Sequence, residues 1–170
     1  MEFQSCFDII GPIMVGPSSS HTAGVVSIGK FIYDLLGDYP EECNIVFYDS
    51  FAETYQGHGT DKALLGGLLG MNTDDSGIKF ALEKAEEYGM QYQFEFEDKC
   101  EYMDHPNITI VTAKRDDRVF KVGGVSLGGG LSKIFMINDE MVSIRLSAGD
   151  DFSILAKPYQ QKEKALVKAI

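Results

Sequence analysis

Tyr92-Gln93-Phe94-Glu95-Phe96-Glu97 alternates apolar residues with polar, mostly acidic ones. Alternation with a period of two predicts a strand with one face in water. The stretch also divides the chain. C-terminal to it, Ile108 to Ala113 and Val119 to Val122 flank Asp116-Asp117-Arg118, which predicts a hairpin. Ile134 to Ile137 and Met141 to Ile144 predict a second hairpin around Asn138-Asp139-Glu140.

N-terminal to the stretch the period is helical. Val25, Ile28, Ile32 and Leu35 repeat at helix spacing until Gly37 ends the run. After a β-prone run from Asn44 to Tyr48, a second helix is predicted with Thr60 as its cap and Ala63, Leu64, Leu65, Leu68 and Leu69 as its apolar surface. Gly66 and Gly67 weaken that helix, which points to close backbone packing. A third helix runs from Ile78 to Tyr88 and closes at Gly89. Helices first and antiparallel strands later define an α+β class: one domain over residues 1–150, with helices packed on a mainly antiparallel sheet. From about Asp150 the pattern breaks, Lys157-Pro158 reads as a boundary, and residues 151–170 read as a tail or linker.

With 44% hydrophobic and 11% aromatic residues, the 170-residue chain can fill a real core. A net charge of −11 argues against nucleic acid as a partner, because neutralising phosphates takes clustered Lys and Arg. No apolar run reaches the length of a membrane span, and Met1-Glu2-Phe3-Gln4 lacks the basic start of a secretion signal, so a cytoplasmic location is expected. Cys6, Cys43 and Cys100 are too scattered for a disulfide framework. They are also too few for an iron–sulfur cluster, which usually takes four thiolates.

Pro17-Ser18-Ser19-Ser20-His21-Thr22 stands where a loop meets the first helix. Ser20 can cap that helix, and capping alone is one reading of the stretch. The other is a ligand site. Free N–H groups, the positive end of a helix dipole, several hydroxyls and an imidazole suit a small anion that also needs a proton moved. Gly11 and Gly16 have the spacing of a phosphate-binding loop, but Pro17 and Ser18 stand where its Lys and Ser/Thr belong. No Ser here has the two flanking glycines of a nucleophile elbow.

Gly57-His58-Gly59-Thr60-Asp61 places a second imidazole in a loop directly before a capped helix, which repeats the arrangement around His21. His105 precedes Pro106 and Asn107 and reads as the entry to a strand. Ser126-Leu127-Gly128-Gly129-Gly130 reads either as a tight connection between strands or as backbone that approaches a ligand, with Ser126 adding a hydroxyl. The three histidines lack the close spacing of a zinc site, and no metal site is predicted.

These motifs, in this order, resemble the beta chain of bacterial iron–sulfur L-serine dehydratase over roughly residues 5–149. The resemblance implies an α+β domain of the allosteric substrate-binding type, similar to one in some D-3-phosphoglycerate dehydrogenases. It implies an alpha chain that carries a [4Fe–4S] cluster, and conversion of L-serine to pyruvate and ammonia without pyridoxal phosphate. An unligated cluster iron would act as a Lewis acid on the serine hydroxyl. His58 would be the first choice for the base and His21 the second. Ser18, Ser19, Ser20 and Thr22, with the helix N-terminus, would hold the carboxylate, and Ser126 would add a hydroxyl. The implied partners are the alpha chain and L-serine, with no membrane or nucleic acid, and a homodimer is expected in isolation. A small regulatory ACT domain often follows in the family, and this sequence stops before one could form. The rival reading is a non-catalytic module that binds L-serine and signals to the partner chain.

Overall fold

The computed structural model describes residues 21–168. Among these, a six-stranded sheet in the order β2-β1-β3-β4-β5-β6 carries helices on one face. The strands are β1 (Glu42–Tyr48), β2 (Gln91–Glu97), β3 (Ile108–Arg115), β4 (Arg118–Gly128), β5 (Leu131–Ile137) and β6 (Glu140–Ser147). The helices are α1 (Ala23–Leu36), α2 (Ser50–His58), α3 (Thr60–Leu68), α4 (Ala81–Glu87) and α5 (Ser153–Lys168), with a 3-10 turn at Ser76–Phe80. The α+β class follows directly from this arrangement.

Both predicted hairpins form, and their turns explain the choice of residues. Asn138 and Asp139 take positive φ of 49° and 64°, the two-residue turn that matches the twist of the flanking strands. Asp116 does so at the β3–β4 turn, with φ 53°. Among the described residues the one parallel pair is β1 with β2, in register from Glu42↔Gln91 to Tyr48↔Glu97. Parallel neighbours require a crossover, and α2, α3 and α4 supply it. The predicted alternating strand is therefore an edge, with Tyr92 and Phe94 half-buried and Phe96 44% exposed.

The main core lies between sheet and helices. Ile28, Ile32 and Leu35 of α1 meet Ile45 and Phe47 of β1, Val111 of β3 and Val122 of β4, all fully buried. A smaller core of Ile108, Ile110, Val125, Phe135 and Met136 occupies the opposite face. The expected backbone packing at α3 is present. A Cβ on Gly67 would run into the carbonyl oxygen of Val26, and one on Gly29 would lie 2.6 Å from the carbonyl oxygen of Leu64. Axes this close need glycine on both sides.

Two local readings need correction. Thr60 does not cap α3: Gly59 holds the N-cap with φ 70°, and Thr60 is the first helical residue. The chain also does not break at Lys157-Pro158, since α5 runs through Pro158. Proline removes the hydrogen bond to the carbonyl four residues earlier, here that of Ile154, which is 79% exposed and open to water. Phe152 and Ala156 sit in the main core, and Gln160 Nε2 donates to the carbonyls of Asp34 (2.7 Å) and Leu35 (3.0 Å) at the end of α1. These bonds satisfy two acceptors that a helix C-terminus leaves open.

Candidate active site

The C-terminal end of β1 turns sharply into α2. Asp49 makes the turn at φ 48° and ψ −122°, a conformation that L residues rarely adopt, and its carboxylate makes no capping hydrogen bond. From there Ser50, Thr54 and His58 follow at intervals of four residues and share one face of α2. The Thr54 hydroxyl donates to the Ser50 carbonyl at 2.6 Å.

His21, in the turn just before α1, lies against that face. Its ring stacks on His58 with centroids 4.4 Å apart and planes 26° from parallel. The Phe51 ring meets the His21 ring at a steep angle of 66°, with centroids 5.3 Å apart, and His21 Nε2 is 3.1 Å from the Ser50 hydroxyl. Burial first, and the neighbouring His58 second, hold His21 below the usual histidine range. His21 is therefore biased toward the neutral form, which can accept a proton.

The helices converge on this pair. α1 begins two residues after His21 and α3 two residues after His58, so the positive dipole ends of both lie near the rings, with the negative end of α2 at His58. The first amides of each helix have no intrahelical acceptor, which makes the location favourable for a carboxylate. His58 Nδ1 and the Thr60 hydroxyl are buried without a hydrogen-bond partner among the described residues.

The other expected residues are distributed as follows. Ser18, Ser19 and Ser20 lie outside the described residues, and so does the capping role of Ser20. Thr22 occupies the N-cap of α1 and is buried. Ser126 is fully buried on β4, and its hydroxyl fills the space where a Cβ on Gly24 would lie. It pairs across the strands with Ser132, and neither hydroxyl finds a partner among the described residues. His58 is the last residue of α2, not a loop residue, and Gly59 closes that helix in the left-handed conformation. His105 Nδ1 accepts from the Asn107 amide at 3.1 Å; burial holds its ring below the ordinary range, while Asp104 and Asp49 pull it back up.

Ser50 and Thr54 are the residues that sequence reading missed. Their i, i+4, i+8 spacing with His58 was the available signal, masked by Gly57 and Gly59, which make the segment read as a loop.

Residues 5–134 match the family model for the serine dehydratase beta chain. The chain belongs to the serine dehydratase beta chain family. It is 46% identical over 138 residues to a probable L-serine dehydratase beta chain of Bacillus subtilis, across 81% of this chain and 62% of that one. The L-serine dehydratase beta chain of Peptoniphilus asaccharolyticus is 38% identical over 159 residues, 93% of this chain and 70% of its own length. An L-serine dehydratase of Haemophilus influenzae is 31% identical over 149 residues, matching 74% of this chain and 32% of that protein. The chain thus spans less than two thirds of the Bacillus relative.

The family implies an iron–sulfur cluster, and the described residues do not fit one. Cys43 is buried in the main core with its thiol pushed up to about 12, far from a thiolate, and Cys100 packs half-buried against the smaller core. Among the described residues no three His, Cys, Asp or Glu side chains are grouped to hold a metal ion. No described helix is long and apolar enough to cross a membrane.

Proposed function

We propose that this chain is the beta subunit of an L-serine dehydratase and supplies the proton-transfer half of its active site, while a separate alpha chain supplies the cluster. The carrying observation is the stacked His21–His58 pair at two converging helix N-termini. L-serine presents three groups to such a site: a carboxylate, a weakly acidic Cα–H and a β-hydroxyl. The N-terminus of α1, with Ser18, Ser19, Ser20 and Thr22, holds the carboxylate, and Ser126 supports the first turn of that helix from below. His58 takes the Cα proton, and His21, held neutral against its face, is the second base. The β-hydroxyl leaves with a proton as water. The resulting enamine tautomerises to an imine, which water hydrolyses to pyruvate and ammonia. No step on this chain is assigned to the cluster. The assembly is cytoplasmic, and the chain alone forms a homodimer.

The test is reconstitution. The chain is mixed anaerobically with its alpha chain, and pyruvate formation from L-serine is measured for each chain and for the mixture. Turnover only in the mixture supports the reading. A [4Fe–4S] species or full activity on this chain alone overturns the division of labour. Saturable L-serine binding that changes only the sigmoidicity of turnover in histidine variants would favour the regulatory reading instead.

A further inference from the structure

We propose that the outer edge of β2 is a docking strand for a second copy of this chain, paired antiparallel about Phe94. The inference deepens the homodimer of the functional reading above and rests on that part of it alone. β2 ends the sheet, and among the described residues no strand lies on its outer side. Its inner side is occupied: the Gln91 amide donates to the Glu41 carbonyl at 2.9 Å, and the Asp49 amide donates to the Glu97 carbonyl at 3.0 Å. Backbone groups alternate sides along a strand, so Gln91, Gln93, Glu95 and Glu97 turn theirs toward β1. Tyr92, Phe94 and Phe96 therefore turn their N–H and C=O groups outward. Proteins commonly blunt such an edge with Lys, Pro or a bulge. The seven residues of β2 include no Lys or Pro, and they pair with β1 without a register shift. β6, at the other end of the sheet, carries Arg145, and its pairing with β5 shifts register between Ile134 and Met136.

The sequence of β2, Gln-Tyr-Gln-Phe-Glu-Phe-Glu, selects the register. A two-fold contact must be self-complementary, and this strand complements itself when centred on Phe94. Phe94 then faces Phe94, Tyr92 faces Phe96, Gln93 faces Glu95 and Gln91 faces Glu97. Tyr92, Phe94 and Phe96 each exchange N–H and C=O with an outward-turned residue of the other copy, as hydrogen-bonded antiparallel pairs do. On the helix side every cross-strand pair is aromatic, a class that stabilises sheets. Phe96 lies against Tyr55 of α2 with centroids 4.6 Å apart and is still 44% exposed, so a second copy covers a ring already in place. On the other side each amide faces a carboxylate, and no two carboxylates are opposed. Gln93 Nε2 and Glu95 Oε1 of one strand are exposed and 3.5 Å apart, too far to hold each other strongly. Centring the pair on Glu95 instead would set Glu95 against Glu95, and centring it on Gln93 would leave Phe96 and Glu97 unpaired.

The experiment uses the full chain alone, at low ionic strength, with sedimentation velocity for mass and amide hydrogen exchange for the edge. The parent should be a dimer in which the Tyr92, Phe94 and Phe96 amides are protected, and dilution to monomer should release those three and leave Gln93 and Glu95 protected. Gln93→Glu opposes two pairs of carboxylates without touching the core, and it should raise the dimer dissociation constant by about five- to thirtyfold. Adding Glu95→Gln to that variant exchanges the two partners and should return the constant to within a few-fold of the parent. Circular dichroism should be the same for all three chains, since both side chains are exposed. A dimer that Gln93→Glu leaves unchanged, or that the second substitution does not restore, overturns this register. A dimer whose Tyr92, Phe94 and Phe96 amides exchange as freely as in the monomer overturns the pairing and leaves the homodimer standing on another face. A strict monomer over a wide concentration range overturns both. Protection of the three amides only after the alpha chain is added also overturns the proposal, by giving the edge to that chain.

Discussion

Gly29 and Gly67 cross with no side chain between them: a Cβ on Gly29 would lie 3.0 Å from the carbonyl carbon of Gly67, and one on Gly67 would lie 3.0 Å from Gly29 Cα. This crossing fixes α1 against α3, and those two helices begin at the two histidines. The packing of two glycines therefore sets the distance between two imidazoles at the helix starts.

Gly67→Ala should destabilise the domain by about 1–3 kcal/mol, the usual cost of overpacking, because its Cβ meets backbone that cannot rotate away. Gly57→Ala is the control. Nothing lies within 4 Å of its Cβ, and it sits inside α2, so it should stabilise by about 0.5–1 kcal/mol. Urea midpoints decide between them, and equal effects of the two substitutions would rule out the crossing as the cause.

His58→Ala in the assembled enzyme should reduce turnover per intact cluster by about two to four orders of magnitude, the usual worth of a general acid–base group. His58→Asn should not restore it, since an amide cannot take a proton at neutral pH. Turnover within a few-fold of the parent at saturating L-serine would remove His58 from the mechanism.

Stability should fall as the pH drops below the ordinary histidine value of 6.5. Burial lowers both His21 and His105 in the folded chain, the former further depressed by His58 and the latter partly offset by Asp104 and Asp49. Below 6.5 the unfolded chain then binds protons that the folded chain refuses, and linkage makes stability rise with pH across that window. Melting temperatures from pH 5 to 8 should show this slope, and His21→Gln should flatten it. An identical slope in the variant would count against the buried ring as its source.

Asp49→Gly should raise stability by about 1 kcal/mol. The substitution relieves a backbone conformation costly to any residue with a Cβ, and Asp49 makes no capping bond that would be lost. Differential scanning calorimetry tests it. A lower melting temperature would mean that the carboxylate contributes through contacts beyond capping.

Much of this was legible in the sequence because the signals were local. The Val25–Leu35 periodicity, the Asn138-Asp139 turn and the Gly66-Gly67 pair each name their own structure. The two histidines were legible as a pair of similar settings before two helices. α2 was not legible, since Gly57 lowers its propensity and only Phe51 is buried. Its helical state depends on tertiary packing beside β1, where a nine-residue window carries little information of its own. The stack itself brings together residues 37 positions apart, which no periodicity reports.

The pairing of β1 with β3 also has a kinetic consequence. The Thr109 hydroxyl reaches back across 63 residues to the Val46 carbonyl, and everything in that span, His58 included, must be threaded before the two strands can zip. Closing so long a loop delays the reward of its contacts, and contact order of this kind slows folding. During biosynthesis the β1–β3 pairing can therefore form only after β3 has emerged. A nascent chain stalled before Ile108 holds every residue of the pair and β1 beside α2, but neither β3 nor β4 at the centre of the sheet.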